Sequence, residues 1–298
     1  MASAPKGRLD RASADLVDRA VAHARHDAGD DRARAALVEA MIPHYWRNVP
    51  PEDLARRDPV DIQGATVSHL AFGWRRPPGT ALVRVISPSE DASGWGCPHS
   101  VVEVVTDDMP FLVDSVTSEL NRQGFSIHLV VHPQFRVRRN AVGEFEAIAA
   151  PEAPPSPEFV PESWIHVEID RRSDVSTFTG LQRDLRNVLE DVRAAVEDWG
   201  RMLARVDDAI AELKAGVPAA AEDDVAETIA LLEWLKQDNF TFLGYRDYEL
   251  IGSGDDAELR SVPSTGLGIL RDSGLQPMSR SLLESRPRLV ARRSNRRC

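Results

Sequence analysis

Residues 101–124 read VVEVVTDDMPFLVDSVTSELNRQG. A β-branched apolar run stops at Asp107 and Asp108, and Met109-Pro110-Phe111 leads into a segment whose apolar residues recur at helical spacing. The pattern predicts a strand over 101–106 and a helix over 109–123. Leu112, Val116 and Leu120 form the face that packs on a sheet, and Gly124 suits the left-handed residue after the last turn. Asp107 or Asp108 is expected to cap the helix, and Pro110 fits a first turn whose amides have no intrahelical acceptor.

The same geometry makes the turn a candidate binding site. Free helix amides attract a carboxylate, and two aspartates beside them attract an ammonium group. Asp107, Asp108, Met109, Pro110 and Phe111 are therefore the candidate site for a zwitterionic amino-acid effector.

Outward from this stretch, the pattern continues with strands over 125–138, 144–149 and 163–170. Gly143, shortly after Asn140, supplies a hairpin turn between the first two, so that pair should be antiparallel. Five prolines between 151 and 161 mark a stiff surface loop. Apolar residues from Leu181 to Leu213 then fall three and four apart, one helical stripe that suits packing in its own domain or a contact with another domain or subunit. Upstream, residues 9–47 suit one or two amphipathic helices split near AGDD at 28–31, residues 52–80 look irregular, and ALVRVIS at 80–87 reads as a strand. Downstream, a helix over 222–237 and a strand over 240–251 begin another α/β unit, followed by a tail with seven arginines between 280 and 297.

The predicted class is α+β: an antiparallel sheet with helices on one face, preceded by a helical segment and followed by a long helix. Three segments are expected, 1–95, 96–216 and 217–298, the last beginning a second α/β domain.

A formal charge of −11 and a pI near 5.3 argue against a nucleic-acid partner, which needs a basic face. Cys97 and Cys298 are too few for a disulfide framework, and the start of the chain lacks the apolar segment of a signal peptide. No run approaches the ~18 apolar residues of a membrane span. A cytoplasmic protein without nucleic-acid or membrane partners is expected.

Catalytic patterns are sparse. GSGDDA at 252–257 imitates a dinucleotide loop, but Asp255 and Asp256 would oppose a pyrophosphate. Lys6, Lys214 and Lys236 are the only lysines, and each sits at a terminus or a helix end. His128 and His132 lie four apart in a strand, about 13 Å from each other, too far for one metal ion. His166 and Glu168 share a strand face and could approach that pair across the sheet, although a structural role is the expectation. Trp164 and Trp199 are expected in the core. No catalytic, cofactor or metal residue is assigned.

VVEVVTDDMPFLVDSVTSELNRQGFSIHLVVH resembles the ACT domain, a ferredoxin-like amino-acid-sensing module of metabolic enzymes. That family's turn commonly reads Asp-Arg-Pro-Gly, whereas here it reads Asp108-Met109-Pro110-Phe111, adding bulk where glycine lets a ligand approach. In addition, TDDMPFLVDSVTSEL, IHLVVHPQFRVRR, ESWIHVEIDR, DVRAAVEDW, DNFTFLGYRDYEL and LGILRD resemble, in order, the N-terminal part of the large bacterial NAD-dependent glutamate dehydrogenases. The resemblance implies a parent enzyme that deaminates glutamate to 2-oxoglutarate with NAD. This chain would then hold a leading regulatory or assembly region, without the catalytic domain and binding no cofactor itself. Its partners would be the rest of that polypeptide, identical subunits, or both, with an amino-acid effector. The resemblance fades after about residue 283, in ESRPRLVARRSNRRC. The alternative is a free-standing amino-acid-sensing or dimerisation module.

Overall fold

The quoted apolar run is a central strand. Ser100–Asp107 (β2) pairs antiparallel with Leu82–Ile86 (β1) on one side and with Val160–Ile169 (β6) on the other. Beyond β6 lie Ile127–Val131 (β3) and Gln134–Arg139 (β4), and Phe145–Ile148 (β5) closes the far edge against β4. This computed structural model describes residues 10–27, 32–216, 222–251 and 258–271. The chain divides into two compact units, 1–190 and 191–298.

The strand expected over 125–138 is thus two strands that share β6 as a neighbour. The interruption falls at His132-Pro133, because proline has no amide hydrogen for the ladder. The Pro133 carbonyl still accepts from the Trp164 amide at 3.0 Å, holding the two halves on one line. The hairpin between β4 and β5 forms at Gly143, whose φ is 83°.

A ferredoxin-like unit has the order βαββαβ, with its last strand beside its first. Here the place beside β2 is taken by β1, which comes from upstream of the motif. Residues 82–86 therefore complete the sheet although they lie in the segment 1–95.

Both sheet faces are covered. Alternation along β6 sends Ile165 and Val167 to one face, together with Val102 and Val104 of β2. Leu112, Val116 and Leu120 of helix α6 (Leu112–Arg122) are buried, as are Leu181 and Leu185 of helix α7 (Val175–Glu197). Gln123 donates to Asp184 at 3.1 Å, and Arg186 donates to the carbonyl of Val83, which lies opposite Val104. The opposite face carries Trp164, Val101 and Val105. It shares one hydrophobic core with Val17, Ala20, Met41, Ile42, Trp46, Ile62 and Leu70. Those residues come mostly from helices α1 (Arg11–Asp27), α2 (Arg32–Tyr45) and α4 (Pro59–Gly73). A short turn, α3 (Pro51–Leu54), joins the last two.

Helix α4 corrects the expectation that residues 52–80 are irregular. Asp58 caps it by accepting from the Val60 amide at 3.0 Å, and Pro59 occupies its first position. Its sequence PVDIQGATVSHLAFG shows no amphipathic stripe because it is buried on most sides. Gly73 lets it lie against the sheet, since a Cβ there would stand 2.5 Å from the Trp164 ring. The break expected at 28–31 lies outside the described residues. A short helical turn, α5 (Glu90–Ser93), precedes β2.

The second unit begins within α7. The single helical stripe expected from Leu181 to Leu213 is two helices, α7 and α8 (Trp199–Ala215), that meet at Asp198. Backbone bonds still cross the junction, from Asp198 to Ala194 and from Met202 to Asp198. Helix α9 (Glu222–Trp234) follows, ending in a turn at Leu235–Asn239 where Asp238 adopts φ 58°. The strand expected over 240–251 is two short pieces. Gly244–Tyr245 (β7) pairs with Leu267–Gly268 (β10), and Tyr248–Ile251 (β8) pairs with Glu258–Ser261 (β9).

Candidate functional site: the strand-to-helix turn and the polar sheet face

The turn itself is built differently from its sequence reading. Neither aspartate caps α6. Its N-cap is Phe111, which sits in the left-handed region at φ 70° and makes no side-chain cap, so the helix starts at Leu112 instead of 109. Asp107 instead accepts from the Arg76 guanidinium at 2.7 Å. Asp108 accepts from Ser163 Oγ at 2.6 Å and from Gln134 Nε2 at 2.9 and 3.1 Å. Asp107 takes a charged donor from the connection between α4 and β1, and Asp108 takes side-chain donors from β4 and β6, in place of the helix amides. At the other end the expectation holds. Gly124 has φ 79°, and the Phe125 amide returns to the Leu120 carbonyl at 3.1 Å.

Of the five candidate residues, Pro110 and Phe111 are exposed, and Asp107, Asp108 and Met109 are half-buried. Gln134 links Asp108 to a cleft lined by His44, Arg47, Arg136, Ala149, Pro151 and Glu152. That cleft presents charges of both signs. Burial, followed by the Arg47 charge, lowers the pKa of His44 below the usual imidazole value.

His132 Nε2 lies 2.9 Å from Ser163 Oγ, whose hydroxyl donates to Asp108. The serine stands between the imidazole and the carboxylate, so with its hydrogen given to Asp108 it accepts from His132, and the imidazole is not placed as its base. His128 lies 2.9 Å from Asp170 and stacks on His99 with centroids 4.0 Å apart. His166 and Glu168 do pair, at 3.3 Å, but on the face covered by the N-terminal helices.

That face of β6 carries Glu162, Trp164, His166 and Glu168, all buried. Glu162 receives Arg76 at 2.7 Å, Arg139 at 2.6 Å and the Trp164 indole at 3.1 Å. Arg57 holds Glu168 at 2.6 Å and lies over the Trp46 ring. Directly across the ladder from His166 stands Glu103, paired through one oxygen with Arg84. His69 of α4 reaches the same region, its Nδ1 2.7 Å from Tyr45 Oη. One donor atom each from His69, Glu103 and His166 lies within 4.8 Å of the others. His69 and Glu103 carried no sequence signal. The Asp58-Pro59 helix start was the cue that could have placed His69 on a helix.

The remaining sequence candidates form no site. Lys214 faces Glu233 at 3.8 Å, and Lys236 pairs with Asp207, so both join surface ion pairs. Burial, with Glu168 adding to it, pushes the Cys97 thiol up to about 11, so it stays protonated. Trp164 lies in the core, while Trp199 is half-buried against Phe242 at 6.0 Å. GSGDDA, Lys6, Cys298 and the arginine-rich tail lie outside the described residues.

An antiparallel sheet with a βα turn at Asp108-Met109-Pro110-Phe111 and paired helices on one face defines an ACT-type domain. Residues 41–185 match the family described as glutamate dehydrogenase, ACT1 domain. The match begins in α2 and includes β1, in keeping with that strand's place in the sheet. The chain is 39% identical to an NAD-specific glutamate dehydrogenase of Halomonas elongata, over 81% of this chain and 15% of that protein. It is 34% identical to the Pseudomonas aeruginosa enzyme of the same name, over 78% of this chain and 14% of the relative. The Mycobacterium tuberculosis enzyme of that name is 31% identical over 68% of this chain and 12% of its own length. The chain thus spans about one-seventh of the curated relatives it matches. No helix among the described residues is long and apolar enough to cross a membrane.

Proposed function

We propose that this chain is the leading regulatory or assembly portion of a large NAD-specific glutamate dehydrogenase and performs no catalysis itself. The observation that carries the reading is the ACT1 match over residues 41–185 in a chain that covers only 15% of a relative named for the activity. The sheets described here are antiparallel, unlike the parallel sheet on which a dinucleotide fold is built. NAD and glutamate would accordingly be handled by the rest of the polypeptide, in the cytoplasm. Its direct partners are that remainder and identical subunits. Purified chain incubated with glutamate and NAD should form no NADH above background, and clear turnover would refute the absence of catalysis.

The regulatory ligand we propose is a zwitterionic amino acid at Asp107, Asp108, Met109, Pro110 and Phe111. Supporting it are the two half-buried carboxylates and the neighbouring cleft, where Arg47 suits a carboxylate and Glu152 an ammonium group. Calorimetric titration with a panel of amino acids should yield one saturable ligand. Heat of dilution alone across the panel would leave assembly as the role.

A further inference from the structure

Among the described residues, the buried side-chain atoms His69 Nε2, Glu103 Oε1 and His166 Nδ1 lack a hydrogen-bond partner. The rule for buried polar atoms is that they are paired, because burial strips them of water. Here three exceptions belong to residues whose donor atoms approach within 4.8 Å of one another. All three side chains are fully buried, at 0% exposure. The Val104 carbonyl beside the His69 ring falls short of a hydrogen bond to it.

The other atom of each side chain is already held. Tyr45 Oη fixes His69 Nδ1 at 2.7 Å, Glu168 faces His166 Nε2 at 3.3 Å, and Arg84 takes the second oxygen of Glu103. Arg57 in turn anchors Glu168. This is how metal ligands are supported: the imidazole nitrogen away from the ion is bonded, ideally to a carboxylate, which sets the tautomer and aims the free lone pair. The bonds to Tyr45 and Glu168 suit N–H at His69 Nδ1 and His166 Nε2, leaving Nε2 and Nδ1 as acceptors.

We propose that His69 Nε2, Glu103 Oε1 and His166 Nδ1 bind one divalent transition-metal ion of the zinc class in the core between α4 and the sheet. Two imidazoles and one carboxylate suit a borderline-soft cation, and neither calcium nor magnesium favours nitrogen ligands. Bonds of about 2.0–2.1 Å require donors nearer than the 4.8 Å limit, so the ion draws the three side chains together. With all three ligands fully buried, the ion is taken up as the chain folds. It ties α4 to β2 and β6 across the core, a structural clamp independent of the effector turn.

The test uses full-length chain without a histidine tag, produced in zinc-supplemented and in metal-depleted medium. About one zinc per chain should survive gel filtration in the first preparation, with a melting temperature roughly 5 °C above the second. His69→Gln and Glu103→Gln should each reduce retained zinc at least tenfold with near-UV circular dichroism preserved, while His128→Ala, at the exposed His99 stack, should retain it. If the core variants fail to fold, X-ray absorption on the wild-type chain decides, and two imidazoles in the zinc shell are expected. Zinc at background levels, zinc retained by both core variants, loss in His128→Ala, or a shell without imidazole would each overturn the proposal.

Discussion

Phe111 is held at φ 70°, a conformation that costs a non-glycine residue about 1–2 kcal/mol, and the residue is 46% exposed. The ring therefore recovers little of that cost by burial. Phe111→Gly should stabilise the first unit by up to about 1 kcal/mol, read as a higher urea midpoint, because glycine adopts this conformation freely. It should also tighten binding of any amino acid at the turn, since the backbone becomes approachable. A second residue decides more of the stability. Glu162 is fully buried between Arg76 and Arg139, whose side chains are 2% and 7% exposed. Removing the carboxylate in Glu162→Ala leaves two guanidiniums with one acceptor fewer in a dry core. The expected loss is about 3–5 kcal/mol in chemical denaturation.

At the scale of elements, β6 and α4 share an acid-sensitive face. Burial would raise the Glu168 pKa, but the His166 hydrogen bond and charge, with Arg57, outweigh it and hold the value at about 2, below the usual 4.5. Stability from that depression is present above pH 4.5 and is lost as pH falls through about 2. His69 acts in the same direction from a higher pH. Burial, then the His166 and Arg84 charges, hold its pKa well below 6.5, so the unfolded chain takes up the proton first and acid favours unfolding. The melting temperature of the first unit should fall progressively on acidification below pH 6.5. Glu168→Gln should flatten the part of that fall below pH 4.5.

In the second unit the α7–α8 junction plays the corresponding part. Asp198 accepts from the Gly268 amide at 2.8 Å, from Arg271 at 2.6 Å and from Arg201 at 2.9 Å. A helical period cannot foretell a kink that exists to offer one carboxylate to a strand seventy residues away. Asp198→Ala should release β10, seen as faster amide exchange at Gly268 and earlier proteolysis within 240–271, at a cost of about 1–3 kcal/mol.

For the whole molecule, the chain divides into two compact units, 1–190 and 191–298. The helical segment before residue 95 shares its core with Trp164 and Val105, which belong to the next segment. The polar loop 87–98 looks like a boundary in the sequence, yet it connects β1 to β2, two strands paired in one sheet. Packing does not follow composition, since a sheet with two apolar faces needs cover on both.

The strand that opens the motif, the helix that follows it, the hairpin at Gly143 and the close of α6 at Gly124 were legible in the sequence. Periodicity and turn chemistry act over a few residues, and those features are local. The tertiary structure alone decided that β1 joins the sheet beside β2, that Asp107 and Asp108 serve Arg76 and Ser163 instead of a helix, and that His69, Glu103 and His166 converge. Each of these depends on side chains far apart in the chain competing for one another in a dry interior, where an unpaired polar atom is costly and the nearest strong donor wins.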